Sequence, residues 1–200
     1  MDELVRRAMA RWPDVPAVHG WLRFGARATW HLIDRGAPGF DPLRDAEGSP
    51  ITSEPIIAFI NRNYQPDADG AWYWQNGPQR AWVRLSLAPL SFRVIGEDVD
   101  HAPLALLANT GMRASRIDEA LIDTAGNLFV LTDIGPGTID DRDLARLDPR
   151  SSADGNRLTL DLRGGQPVQI DLSNPHDPDA IAARWRFQRD PKPGASVPAP

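Results

Sequence analysis

The chain contains no cysteine. That absence excludes disulfides, thiolate catalysis and every cysteine-ligated metal site. It also fits a reducing compartment, so a cytoplasmic location is expected. Lysine is nearly absent as well: Lys192 is the only one, and the other basic residues are arginine. A GC-rich genome gives the same bias, but the guanidinium is also the better fork for carboxylate and phosphate groups. No window approaches the ~20 consecutive apolar residues that a membrane span needs. The start, Met1-Asp2-Glu3-Leu4-Val5-Arg6-Arg7, has no apolar run behind it, so no signal peptide is expected. Nor is there a block of one charge sign. The 22 basic and 27 acidic residues give a net charge of -5, spread evenly over the two halves. Without a basic face, neither nucleic acid nor a membrane is an expected partner.

Known catalytic signatures are missing too. There is no G-x-S-x-G, no Walker loop and no G-x-G-x-x-G. His19, His31, His101 and His176 stand far apart, in no H-x-H or H-E-x-x-H arrangement. His19 and His31 could face each other across a hairpin, as half a metal site. Asp67-Ala68-Asp69-Gly70 opens like a calcium loop, but Ala71, Tyr73 and Gln75 supply few oxygen ligands and no glutamate closes it. Gly135-Pro136-Gly137 has proline where a phosphate loop needs an N–H donor, and so reads as a structural turn. No cofactor, metal or catalytic residue is therefore assigned.

What remains is ordinary globular composition, 42% hydrophobic and 24% charged, enough to bury a core without staples. Asp2 to Arg11 reads as an amphipathic helix with Leu4, Val5, Ala8, Met9 and Trp12 on one stripe. Val18 to Phe24 and Thr29 to Ile33 read as a hairpin, and Gly36 to Pro50 as loop. Ser53 can cap a second helix that packs Ile56, Ile57, Phe59 and Ile60 inward and ends at Asn61 and Asn63, since asparagine tolerates the left-handed conformation. Trp72 to Gln75 and Arg80 to Leu87 flank the turn Asn76-Gly77-Pro78. Phe92 to Ile95, Leu104 to Ala108, Arg116 to Asp123 and Leu128 to Thr132 read as strands, with Glu97 to Asp100 an acidic loop. Leu158 to Leu172 is a hairpin turning at Gly164-Gly165. Asp177-Pro178 starts a last helical turn or two. The tight turns predict a mainly β (α+β) protein of two small antiparallel β-rich domains, each with a short helix. The boundaries are 1–88 and 89–189, with a disordered tail at 190–200 and room for a duplicated core.

One face of the Trp-rich hairpin is the main candidate site. Alternation puts Ala81, Val83, Leu85 and Leu87 on one side and Arg80, Trp82, Arg84 and Ser86 on the other. If the second face meets solvent, it is a cationic, stackable strip suited to a planar anion. Arg80 and Arg84 would pair its charge, Trp72 and Trp82 would stack it, and Asn63, Gln75 and Gln79 would orient it. Arg62 could join the same surface. Cross-strand packing of arginine on tryptophan explains the same residues without any ligand.

The run FINRNYQPDADGAWYWQNGPQRAWVRLSLAPL, with ALLANTG and IDDRDL further on, resembles an uncharacterised proteobacterial family of about this length. The likeness spans Val15 to Leu147 and implies no assigned activity. More distantly, the order is similar to another bacterial family of unknown function. There a Gly-Trp strand, a short helix, an acidic-turn hairpin and a Pro-Phe step lead into a second β-rich domain. Here that step is Pro89-Leu90-Ser91-Phe92. This resemblance implies a pleckstrin-homology-like second domain and a nucleotide-like ligand between the domains. The reading is then a non-enzymatic binding or sensor module for a small anionic molecule. Two alternatives stand beside it. A metal-assisted hydrolase or phosphotransferase could use Asp140, Asp141 and Asp143, which would otherwise charge a helix start. A protein-interaction adaptor could use exposed tryptophans.

Overall fold

Short alternating segments separated by glycine, proline and aspartate turns cannot build long helices, and the computed structural model is mainly β with a few short helices. It describes residues 1–96, 105–147, 150–160 and 167–193. The acidic loop at 97–100, His101, the turn at 164–165 and the last seven positions of the expected tail lie outside the described residues. The chain divides into two compact units. One comprises Met1–Gly25, Thr29–Ser86 and the segment from Phe187 onward; the other comprises Ala26–Ala28 and Leu87–Arg186. Among the described residues no helix is long and apolar enough to cross a membrane.

The first unit contains α1 (Glu3–Arg11), β1 (Val18–Phe24), β2 (Trp30–Leu32), β3 (Ser49–Pro50), α2 (Glu54–Arg62), β4 (Tyr64–Pro66), β5 (Trp72–Asn76) and β6 (Gln79–Leu85). Its six strands form one sheet in the order β3-β2-β1-β6-β5-β4. Neighbours pair antiparallel except β1 and β6, which run parallel at the centre. One sheet face carries Leu22, Phe24, Trp30, Val83, Leu85 and Trp72, all buried. The Trp30 ring lies tilted 4.6 Å from Phe24, Tyr64 meets Trp30 edge-on at 5.0 Å, and Trp72 lies 4.8 Å from Tyr64. Ring contacts of this kind add about 0.5–1.5 kcal/mol each beyond area burial.

Both helices of this unit differ from expectation. In α1 only Val5 is buried, while Leu4 is 78% exposed and Trp12 49%. In α2 only Ile60 is buried, and Ile56 is 48% exposed. A nine-residue helix presents only a narrow stripe to what it packs on, so side chains at the stripe's edge stay wet. Ser53 is the N-cap residue but makes no side-chain cap bond. Asn63 ends α2 at φ -116°, not left-handed. Its Nδ2 donates to Phe59 O at 2.9 Å and its Oδ1 accepts from Asp2 N at 2.7 Å. Of the expected tail, residues 190–193 are described, and the chain leading into them is tied to the first unit. Gln188 bridges Ala71 in parallel, Leu85 N donates to Arg189 O at 2.7 Å, and Pro191 is buried.

The second unit contains β7 (Leu90–Ile95), β8 (Ala105–Ala108), β9 (Arg113–Ala114), β10 (Ile117–Ile122), β11 (Leu128–Thr132) and β12 (Gly135–Ile139). After a 3-10 turn at Asp141–Leu147 come β13 (Arg150–Ser151), β14 (Arg157–Leu160), β15 (Val168–Asp171) and α3 (Pro178–Arg184). Six strands form a sheet in the order β10-β11-β12-β7-β8-β9, with β12 and β7 parallel at the centre. Each of the two large sheets is thus a pair of three-stranded meanders, joined where the first strand of one runs parallel to the last of the other. A third sheet is β13-β14-β15. Gly135-Pro136-Gly137 is a strand here, not a turn. A Cβ at Gly137 would stand 2.8 Å from Leu90 O and inside the Phe92 ring, so glycine lets β12 close on β7. In α3 the Asp177 carboxylate accepts from Asp179 N and Ala180 N, satisfying two first-turn donors.

Candidate functional site

Pleat parity decides which candidate residues meet. Cα partners across β5 and β6 are Tyr73 with Trp82, Trp74 with Ala81, Gln75 with Arg80 and Asn76 with Gln79. Tyr73, Gln75, Arg80, Trp82 and Arg84 therefore share one face. Trp72 is on the other, packed on Tyr64, so Trp72 and Trp82 cannot clamp one ligand. Nor is Trp82 a free platform. It is 4% exposed, packed in a cluster with Ala71 and Tyr73, with the His19 ring stacked 5.7 Å away. Gln75 is buried, and its Nε2 donates to Gly77 O at 3.0 Å. Gln79 sits half-buried at the hairpin turn. Asn63 serves as the buried cap of α2, and Arg62 pairs with Asp2 at 3.3 Å. Neither joins the arginine face.

The two arginines of β6 contact rings and a carbonyl. The Arg80 guanidinium lies 4.0 Å from the Tyr73 ring centroid and 5.4 Å from that of Trp82. Arg84 Nη2 donates to Ala46 O. Among the described residues neither has a carboxylate partner. Beside Arg84 stands Arg23, its Cα partner across the parallel β1–β6 pair. Arg23 is buried and committed. Its Nη2 meets Glu47 Oε2 at 2.7 Å, its Nε donates to Glu47 O at 3.0 Å and its Nη1 to Ser86 Oγ at 2.5 Å. His31 Nδ1 lies 3.3 Å from Arg23 Nη2. Burial first, and then the Arg23 charge, lowers the His31 pKa below its usual 6.5. The sequence shows that Arg23 alternates with Leu22 and Phe24. It carries no sign of the parallel pairing that sets Arg23 against Arg84.

In the second unit the three aspartates part company. Asp140 takes Arg142 Nε at 2.8 Å and Nη2 at 2.5 Å; Asp143 takes Arg93 Nε at 2.6 Å and Val94 N at 2.9 Å. Asp141 takes Arg27 Nε at 2.8 Å and Nη2 at 2.5 Å. Each carboxylate answers a different arginine, so the three do not converge as a phosphotransfer site requires. The Arg142 hydrogen bond holds the Asp140 pKa at about 2. The hydrogen bonds from Arg27 and Arg93 likewise lower those of Asp141 and Asp143. Among the described residues no three His, Asp or Glu side chains gather as a metal site. A cavity of about 300 Å3 opens beside the Arg27–Asp141 pair.

With that geometry in hand, the comparisons place the chain. The family model DUF2944, described as "Protein of unknown function (DUF2946)", matches residues 1–192. The chain belongs to this family. No curated protein matches it. It is similar to the crystal structure of a DUF1285 family protein from Silicibacter pomeroyi DSS-3, with a TM-score of 0.53 and 15% identity, over 86% of this chain and 96% of that one. A second DUF1285 family protein, from Shewanella baltica OS155, matches with a TM-score of 0.43 and 11% identity, over 64% and 89%. At such identities the first likeness speaks to the fold alone.

Chemically, the family member described here offers two different settings. The face of β6 has two arginines without a carboxylate partner among the described residues, next to an Arg23 whose own partners include Glu47 and His31. The cavity of the second unit has one cation and two anions on an apolar floor. Of the apolar residues, Leu4, Trp12, Trp21, Leu32, Leu43 and Ile56 in the first unit and Met112 in the second are exposed, whereas the hairpin residues Trp72 and Trp82 are buried. The adaptor reading would therefore fall to the former group.

Proposed function

We propose that the chain is a non-enzymatic binding or sensor module whose first unit receives a compact anionic group, a phosphate or carboxylate, on the Arg80–Arg84 face of β6. One observation supports it. Arg80 and Arg84 lie four residues apart on one face of β6, about 13 Å along the strand, with Trp82 between them, and no described carboxylate pairs with either. Guanidinium groups left with spare N–H donors are fitted for oxyanions, which they bind through parallel, charge-assisted bonds. Because Trp82 is covered and Trp72 lies on the far face, a nucleotide-like ligand would be held by its phosphates and not by its base. A cytoplasmic phosphorylated or acidic metabolite suits the site.

The test is thermal denaturation of the full chain with inorganic phosphate, nucleotides and di- and tricarboxylates. A ligand at a hundredfold excess over its Kd stabilises by about 2.7 kcal/mol, a rise of several degrees for a chain of this size. Arg80→Gln and Arg84→Gln should each remove most of that rise. No stabilisation by any of these anions, or an equal rise in both variants, would overturn the reading.

A further inference from the structure

The cavity in the second unit carries a separate inference. At about 300 Å3 it stands at the small end of ligand sites, which run from about 300 to 1,000 Å3. Leu87, Leu128, Ile139 and Leu144 supply apolar lining, and Arg27 and Asp141 line it as well. That ion pair is more than half exposed on both sides, at 56% and 52%, so it contributes little by itself and opens readily. Arg27 is held at φ 57° and the next residue, Ala28, at φ 58°. Two successive left-handed residues without glycine are a strained arrangement, of the kind found where a side chain must be aimed. Asn127 also lines the cavity; its Nδ2 donates to Asp123 at 2.8 Å, and its amide oxygen has acceptor capacity.

We infer that this cavity binds a free α-amino acid with a small aliphatic side chain. The α-carboxylate replaces Asp141 in the fork of Arg27. The ammonium group takes the freed Asp141 carboxylate and the Asn127 oxygen. The side chain covers the leucines and Ile139. One exposed ion pair is thereby exchanged for two partly desolvated ones. Other ligand classes fit worse. A lone anion would meet Asp140 and Asp141, a lone cation would meet Arg27, and a neutral apolar molecule would bury the ion pair without replacing its water. Selection here comes as much from those mismatches as from the match.

The experiment is isothermal titration of the full chain with L-leucine and L-valine, beside isocaproate, which lacks the amine, and isoamylamine, which lacks the carboxylate. The amino acids should bind and the two half-analogues should not. Arg27→Gln and Asp141→Asn sit on exposed side chains and should keep the fold by circular dichroism. Each should weaken binding about ten- to a hundredfold, the worth of one charge-assisted hydrogen bond in a sheltered site. Leu144→Trp, which fills the cavity, should abolish it. Arg84→Gln should leave it unchanged, which separates this site from the arginine face. Absence of binding by both amino acids, equal affinity in Arg27→Gln and Asp141→Asn, or isocaproate binding as tightly as leucine would overturn the inference.

Discussion

Arg23 shows how one buried cation can organise a surface. It donates to a carboxylate, a carbonyl, a hydroxyl and toward a histidine, all within the first unit. Removing its charge would leave Ser86 and the Glu47 segment without their partner, whereas Arg80 and Arg84 carry no such duty toward a carboxylate. The pH consequence falls on His31. Its folded pKa is lowered by burial and by Arg23, with Glu47 and a Gly48 backbone bond acting the other way. The unfolded chain titrates near the ordinary value, about 6.5. As pH falls through that value the unfolded state takes up a proton that the folded state refuses, so stability declines until the folded pKa is passed. Urea midpoints from pH 8 down to pH 5, at about 0.5-unit steps, should show this decline in the wild type and a smaller one in His31→Gln. A midpoint rising toward acid pH would contradict the assignment. Pleat parity in the sequence already grouped Arg80, Trp82 and Arg84. It was silent on burial, because whether a face is wet depends on what another part of the chain lays over it.

Gly137 illustrates the element scale. A glycine-proline-glycine run reads locally as a break, since both residue types weaken strands. In the sheet the same run is β12, and its missing Cβ admits Leu90 O and the Phe92 ring. Gly137→Ala forces backbone apart and not merely a flexible side chain. It should destabilise by about 1–3 kcal/mol, read as a lower urea midpoint with an unchanged slope. A neutral effect would show that the β12–β7 junction yields. Helices tell the converse story. The apolar stripes of α1 and α2 were legible from their spacing, yet Leu4, Trp12 and Ile56 stay exposed, because periodicity sets a direction and not the width of the surface that receives it. Asn63 was legible as a terminator. Its capping by Phe59 O and Asp2 N joins residues 61 positions apart, and no local pattern announces that.

Across the whole molecule the same sheet plan occurs twice, with the meanders joined by a parallel central pair each time. Hairpins are local, so their antiparallel pairing follows from turn chemistry. The parallel pairs link strands far apart in sequence and are set by closure of the sheet. The return of the chain to the first unit after Arg186 is equally non-local. Phe187 is 5% exposed there, and the backbone beyond it bonds Gly70, Leu85 and Ser86. Phe187→Ala should cost about 3–5 kcal/mol of first-unit stability. Tryptophan emission is the readout, since every tryptophan except Trp185 lies in that unit. An unchanged emission transition would mean that the returning segment contributes nothing.

From composition and spacing alone came the β-rich class, the hairpins, the lack of any cysteine or known catalytic signature, and the sidedness of β6. Those are properties of neighbours in the chain, where turn geometry and side-chain period act directly. The tertiary structure alone decided that Trp72 and Trp82 back away from each other into opposite packing layers. It also decided that Arg23 stands beside Arg84, that each aspartate of the 140–143 run answers its own arginine, and that Arg27 and Asp141 share a cavity wall. Each of these joins residues on different strands or turns, and such pairings are fixed only when distant segments compete for the same buried surface.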